Sequence, residues 1–174
     1  ISIYTDHELD FYLLQEYSPE DCEHGDNFWR FGQTVITSQH NGNHYTLSAS
    51  INCPVPSSSH PLTGEINYSG PLCHGDINPE ESQHQWSPIV VASTGSIDLH
   101  CGPIRYNFEG RGYHDRNVSL LPLHELGIQN WWWGRIAFPD REVIFYSLTP
   151  KDSLSPIDMA LTIDTGGQML FRPN

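Results

Sequence analysis

From Phe28 onward, apolar and polar positions alternate in short runs separated by turn residues. Trp29 to Ser38 reads as a strand, Asn41-Gly42 as a tight hairpin turn, and Tyr45 to Ile51 as the returning strand. Pro54-Val-Pro-Ser-Ser-Ser-His-Pro61 is a polar loop, because proline restricts its flanks and removes ladder donors. Thr63 to Tyr68 is a further short strand, and Gly70 to Ser82, with Pro71, Gly75 and Pro79, a second loop. Trp86 to Ala92 is apolar and β-branched, and Ser96 to His100 and Ile104 to Phe108 alternate again. Ile136 to Phe138, Val143 to Leu148, Met159 to Ile163 and Gln168 to Phe171 continue the series, the last two joined by a hairpin signal at Thr165-Gly166-Gly167. Three stretches are less regular. Leu9 to Leu14 fits a strand or a short helix, Ser18 to Gly25 reads as an acidic loop, and Leu120 to Leu126 fits a short helix or a loop. Short strands with frequent turns and no amphipathic helix predict an all-β fold, an antiparallel barrel or sandwich.

The 174 residues suffice for one domain with a real core, so residues 1–174 are expected to form a single β domain. The chain begins at Ile1 in mid-pattern, which is the expectation for part of a longer protein. Net charge is -13, and Lys151 is the single lysine among eight basic residues. Nucleic acid needs clustered cations, so it is excluded as a partner, and charge-driven docking to anionic lipid is disfavoured. An apolar or neutral ligand fits better. Cys22, Cys53, Cys73 and Cys101 contain no C-x-x-C pair; their even number admits two bridges or four thiols, with reduced thiols the preferred reading. No apolar run approaches membrane-spanning length.

Candidate chemistry concentrates in Gly110-Arg-Gly-Tyr-His-Asp-Arg-Asn117. Tyr113 and Asp115 are two apart and share a face if the segment is extended; a strand end with a turn-forming Asp is the plainer alternative. The same spacing links His84 and Trp86 just before a strand. Trp131-Trp132-Trp133 cannot all face one core, so at least one crosses to the other face or lines a cavity. Arg135 nearby can pair with a carboxylate or stack on a ring. His40 and His44 flank a turn without a third ligand, so no metal site is expected. The absence of a Gly-x-Ser-x-Gly elbow, a phosphate-cradling loop and a dinucleotide fingerprint leaves cofactor chemistry unsupported.

In order, His84-Gln-Trp86-Ser-Pro88, Gly110 to Asn117 and Trp131-Trp-Trp-Gly-Arg135 resemble the carotenoid 1,2-hydratase (hydroxyneurosporene synthase) family, over about Phe28 to Leu148. The resemblance implies a lipocalin-like all-β fold, within chains longer than this one. It also implies cofactor-free addition of water to the terminal double bond of acyclic carotenoids. The family's catalytic aspartate matches Asp115, its tyrosine Tyr113, and its His-x-Trp pair His84 and Trp86; Trp131, Trp133, Arg135 and Asn117 are candidates to line the substrate site. Two departures stand beside these positions. The family usually has Trp-Asp-Trp where this chain has Trp131 to Trp133, and an aromatic and a glycine where Val118-Ser119 follow Asn117.

The implied chemistry protonates an alkene carbon and captures the tertiary cation with water. The acid has to arrive protonated, a form that apolar surroundings favour for a carboxyl group, and Asp115 is the candidate. Trp86 and Tyr113 would stabilise the cation through their ring faces, and His84 would position water or hold the aspartate's proton. Two other functions fit the same scaffold: non-catalytic carotenoid or lipid binding, including as a subunit of a pigment–protein membrane complex, and polyene cyclisation or isomerisation. The expected location is cytoplasmic or peripheral to a membrane, with an apolar polyene as the ligand.

Overall fold

A computed structural model describes residues 1–74, 84–119, 121–122, 125–151 and 157–171. The side chains of His84, Ile157 and Phe171 are outside the described set. The described residues are almost entirely strand. In chain order these are β1 (Ser2–Thr5), β2 (Glu8–Tyr12), β3 (Cys22–Gly25), β4 (Phe28–Phe31), β5 (Thr34–Asn41), β6 (His44–Cys53), β7 (Leu62–Pro71), β8 (His84–Cys101), β9 (Ile104–Ser119), β10 (Ile128–Ala137), β11 (Arg141–Pro150), β12 (Ile157–Asp164) and β13 (Met169–Phe171). One 3-10 turn, Pro19–Asp21, precedes β3. The strands form three sheets: β1-β2; β10-β11-β12-β13; and β3 through β9 in sequence order. Neighbours in sequence are neighbours in space, as short turns demand of an antiparallel meander. The all-β antiparallel expectation therefore holds. No described helix is long and apolar enough to cross a membrane, and the four cysteines are free thiols.

Several boundaries differ from the sequence reading. The stretch read as strand or short helix, Leu9 to Leu14, is strand as far as Tyr12: β2 pairs with β1 across Asp6-His7, both at positive φ; the turn carries no glycine to announce it. Cys22–Gly25 is strand rather than acidic loop, because its backbone pairs with Phe28–Phe31 while its side chains stay exposed. Trp29 to Ser38 is divided by a turn at Gly32, at φ 59°. Conversely, Trp86 to Ala92 and Ser96 to His100 belong to one 18-residue strand. Residues 120, 123 and 124, in the segment left open between helix and loop, lie outside the described residues, as does most of the loop beyond His74.

Contacts divide the chain into two units. Residues 1–39, 46–68 and 95–110 make the first, whose core gathers Ala49, Ile51, Leu62, Leu99 and Tyr106. Residues 40–45, 69–94 and 111–174 make the second, built around Trp86, Val91, Ile144, Tyr146, Leu148, Leu161 and Ile163. Its register explains this core. Tyr146 pairs with Trp133 and Met159, and Ile144 with Arg135 and Leu161. Directly opposed residues share a face, so the even positions of β11 point inward together. Ile144 and Leu161 are fully buried and contribute about 1.5–3 kcal/mol each.

The β12–β13 turn of the second unit depends on Gly167, at φ 85°. A Cβ there would lie 2.1 Å from the Leu72 carbonyl oxygen, a backbone atom that cannot swing aside. Gly167→Ala is therefore expected to lower stability by about 2–5 kcal/mol, combining left-handed strain with overpacking. Urea denaturation checks this; an unchanged midpoint would show that the turn tolerates a side chain.

Candidate active site

Three alternating residues of β9 open the site. Tyr113, Asp115 and Asn117 lie on one face of an extended strand, so the turn alternative for Asp115 is not what forms. Oδ2 of Asp115 accepts two hydrogen bonds, from the Trp86 indole N–H at 2.8 Å and the Tyr113 hydroxyl at 3.2 Å. The Asn117 amide donates to Oδ1 at 3.4 Å. Trp86 belongs to β8, so two adjacent strands converge on one carboxyl group. Oδ2 thus holds the two shorter bonds, and Oδ1 only the longer contact from Asn117.

Trp86 is deeper than the sequence reading has it. The side chain is 1% exposed and stacks on Tyr146 of β11, centroids 5.2 Å apart and planes 18° from parallel. The expectation that it offers a ring face to a ligand gives way to a core ring whose edge holds Asp115. Tyr146 also meets Trp131, at 5.9 Å. Tyr113 packs against Trp133 at 5.1 Å. Trp131 and Trp133 therefore border the Asp115 cluster, each 40% exposed. Trp132, 68% exposed, pairs with Ser147 on the opposite face, which is how three consecutive tryptophans are accommodated. His84 opens β8, but its side chain lies outside the described residues.

Arg135 both stacks and pairs. Its guanidinium carbon lies 5.3 Å from the Tyr113 ring centre, Nη1 donates to the Gly112 carbonyl at 3.0 Å, and the same nitrogen is 3.4 Å from Glu142. Glu142, 1% exposed, is a member of the site that the sequence reading missed. Parity could have found it. Ile144, Tyr146 and Leu148 are the inward positions of β11, and the alternation carries back to 142.

Burial governs the electrostatics here. It pushes the Tyr113 phenol far above its ordinary range, with the adjacent Asp115 charge adding to the shift, so Tyr113 remains a hydrogen-bond donor at any physiological pH. Burial raises Tyr146 and the Cys73 thiol to about 12 each. His114, on the opposite face of β9, is lowered by burial against the pull of Asp115. Glu142 is raised by burial, with Arg135 and Arg111 opposing. Among the described residues, no group of three or more His, Cys, Asp or Glu side chains is arranged to hold a metal ion.

Residues 39–173 match the family described as carotenoid hydratase CrtC. A protein named hydroxyneurosporene dehydrogenase from Chlorobaculum tepidum is 36% identical over 67 residues, covering 37% of this chain and 17% of that protein. No solved structure is significantly similar to the chain. Since the family match spans residues 39–173, well over half of the sequence, the chain belongs to the carotenoid hydratase family.

Proposed function

We propose that the protein adds water across the terminal double bond of an acyclic carotenoid, with Asp115 as the acid that protonates carbon. The observation that carries this reading is the Asp115 carboxyl, anchored through Oδ2 by Trp86 and Tyr113 beside the half-exposed rings of Trp131 and Trp133. In the first step the carboxyl proton passes to the alkene carbon that already bears a hydrogen, the π electrons form the C–H bond, and a tertiary cation remains on the neighbouring dialkyl carbon. A water molecule then attacks the cation, forming the C–O bond. Its surplus proton returns to the Asp115 carboxylate, so the acid is regenerated and the sum is one water added.

The side chains divide the work. Trp86 and Tyr113 aim the carboxyl, Asn117 donates weakly to its other oxygen, and Trp131 and Trp133 offer electron-rich faces to the cation. A desolvated cation over an indole gains about 2 kcal/mol. Arg135 lies on Tyr113, where it would repel a cation, so the cation belongs on the tryptophan side. His84 keeps its proposed part as the group that positions water. Trp132 stands where the family usually has an acid, yet it lies on the other face of β10 from Trp131 and Trp133. The departure leaves the Asp115 cluster intact, which weakens the binding-only alternative. Because such a polyene dissolves in bilayers, it would be collected at a membrane surface through apolar contact, given the net charge of -13. Incubating the purified protein with neurosporene or lycopene tests the reading: a hydroxylated product by chromatography supports it, and pigment retained without product favours a binder.

A further inference from the structure

We infer that Glu142 is a positioning residue for this site, acting through Arg135 on Tyr113 and so on the orientation of Asp115. The inference rests on the hydratase reading for its consequence in turnover, but its structural content stands without it. Glu142 is almost wholly buried, and neither carboxyl oxygen has a hydrogen-bond partner. A buried carboxyl left in that state is costly unless a nearby charge compensates it. The compensating charge is Arg135, whose Nη1 is 3.4 Å away. That nitrogen already donates to the Gly112 carbonyl, so the attraction to Glu142 is Coulombic and leaves the guanidinium where Gly112 holds it, over the Tyr113 ring. Gly112 immediately precedes Tyr113. One arginine thus ties the backbone and ring of β9 to a buried carboxyl group on β11.

The consequence is electrostatic as well as steric. A cation over a phenol ring withdraws density and makes the hydroxyl a stronger donor. The Tyr113 hydroxyl donates to Asp115 Oδ2, so the strength and direction of that bond follow the placement of Arg135. When Glu142 takes a proton, Arg135 loses its counterion. The titratable and charged groups acting on Glu142 are Arg135 from β10, Arg111 from β9 and Cys73 from the segment after β7; its partners on the neighbouring strands are Ala137 and Ile163. Both arginines favour the carboxylate, burial favours the acid, and burial is the larger. The proton therefore leaves Glu142 at a pH above the ordinary value of about 4.3.

The experiment labels the protein with tyrosine carrying carbon-13 at Cζ and follows the Tyr113 line by NMR across pH, with Tyr113→Phe providing the assignment. In wild type the line moves as Glu142 titrates, above pH of about 4.3. Asp115→Asn takes the carboxyl bonded to Tyr113 out of the observation and retains the step; adding Glu142→Gln to it keeps the shape and removes the titration, so the step disappears. A step that persists in the double variant overturns the inference. Should that variant fail to fold, Arg135→Lys carries the test: it leaves Glu142 in place but removes the planar cation from the ring, and a Tyr113 line identical to wild type again overturns it. With a carotenoid present, Glu142→Gln is expected to lower kcat by on the order of 10- to 100-fold, the scale of a misaligned reacting group, without weakening polyene retention. The NMR arm needs no substrate. If wild type makes no hydroxylated product, the hydratase reading falls and the positioning inference is still decided.

Discussion

Replacing Asp115 by asparagine is expected to abolish hydration of an acyclic carotenoid while leaving the polyene bound. The amide is nearly isosteric, and its carbonyl oxygen can accept the Trp86 and Tyr113 hydrogen bonds that Asp115 Oδ2 now accepts. It has no proton of useful acidity. Neither neighbour in the cluster can replace Asp115, because Tyr113 holds its proton too tightly and Asn117 is an amide. The loss should reach on the order of 10³-fold or more, within the range attributed to a positioned acid. Chromatography of the product and absorbance of retained pigment measure the two halves separately. Full activity in Asp115→Asn would remove Asp115 from the reaction.

Trp86 should separate stability from turnover. The indole is 1% exposed and stacked on Tyr146, so Trp86→Ala leaves a large cavity and is expected to destabilise by about 3–5 kcal/mol. Trp86→Phe refills most of that space and keeps the aromatic stack, but it has no N–H to give Asp115. The carboxyl then loses its shortest bond and is held by Tyr113 and the longer Asn117 contact. A loss of turnover of roughly 10- to 100-fold is expected, with a much smaller loss of stability than for alanine. Urea denaturation and product formation, measured on both variants, check the separation. Equal turnover in wild type and Trp86→Phe would make Trp86 a core residue only.

Much of the fold was legible because side-chain alternation and turn chemistry are local. Asn41-Gly42 and Thr165-Gly166-Gly167 mark hairpins through the backbone shapes their glycines permit, and both form. The Asp6-His7 turn was not legible, since neither residue advertises positive φ as glycine does. Nor was Cys22–Gly25, a strand whose side chains are all exposed and whose existence rests on backbone pairing. Ser93-Thr94-Gly95, small and polar, interrupt the apolar pattern between Ala92 and Ser96 yet continue the ladder of β8.

The site was legible where two residues share a strand and less so where strands meet. Tyr113 and Asp115 follow from spacing alone once the segment is extended. That Trp86 would give Asp115 its N–H rather than its ring face depends on how far β8 sinks into the core, which no spacing reports. Glu142 was hidden by chemistry: a charged residue beside Arg141 reads as a solvated pair, whereas Arg141 pairs with exposed Asp140 and Glu142 turns inward to Arg135. The parity of Ile144, Tyr146 and Leu148 held the clue.

The central claim is that a protein acid delivers a solvent-derived proton to carbon. Hydration of lycopene or neurosporene in deuterium oxide tests it most directly, with the product returned to ordinary water before mass spectrometry. The account predicts a hydroxylated product carrying one deuterium on the carbon next to the new carbinol, because Asp115 exchanges its proton with solvent before each turnover. Hydroxylated product with no carbon-bound deuterium, or polyene recovered unchanged from active-site-intact protein, would contradict it.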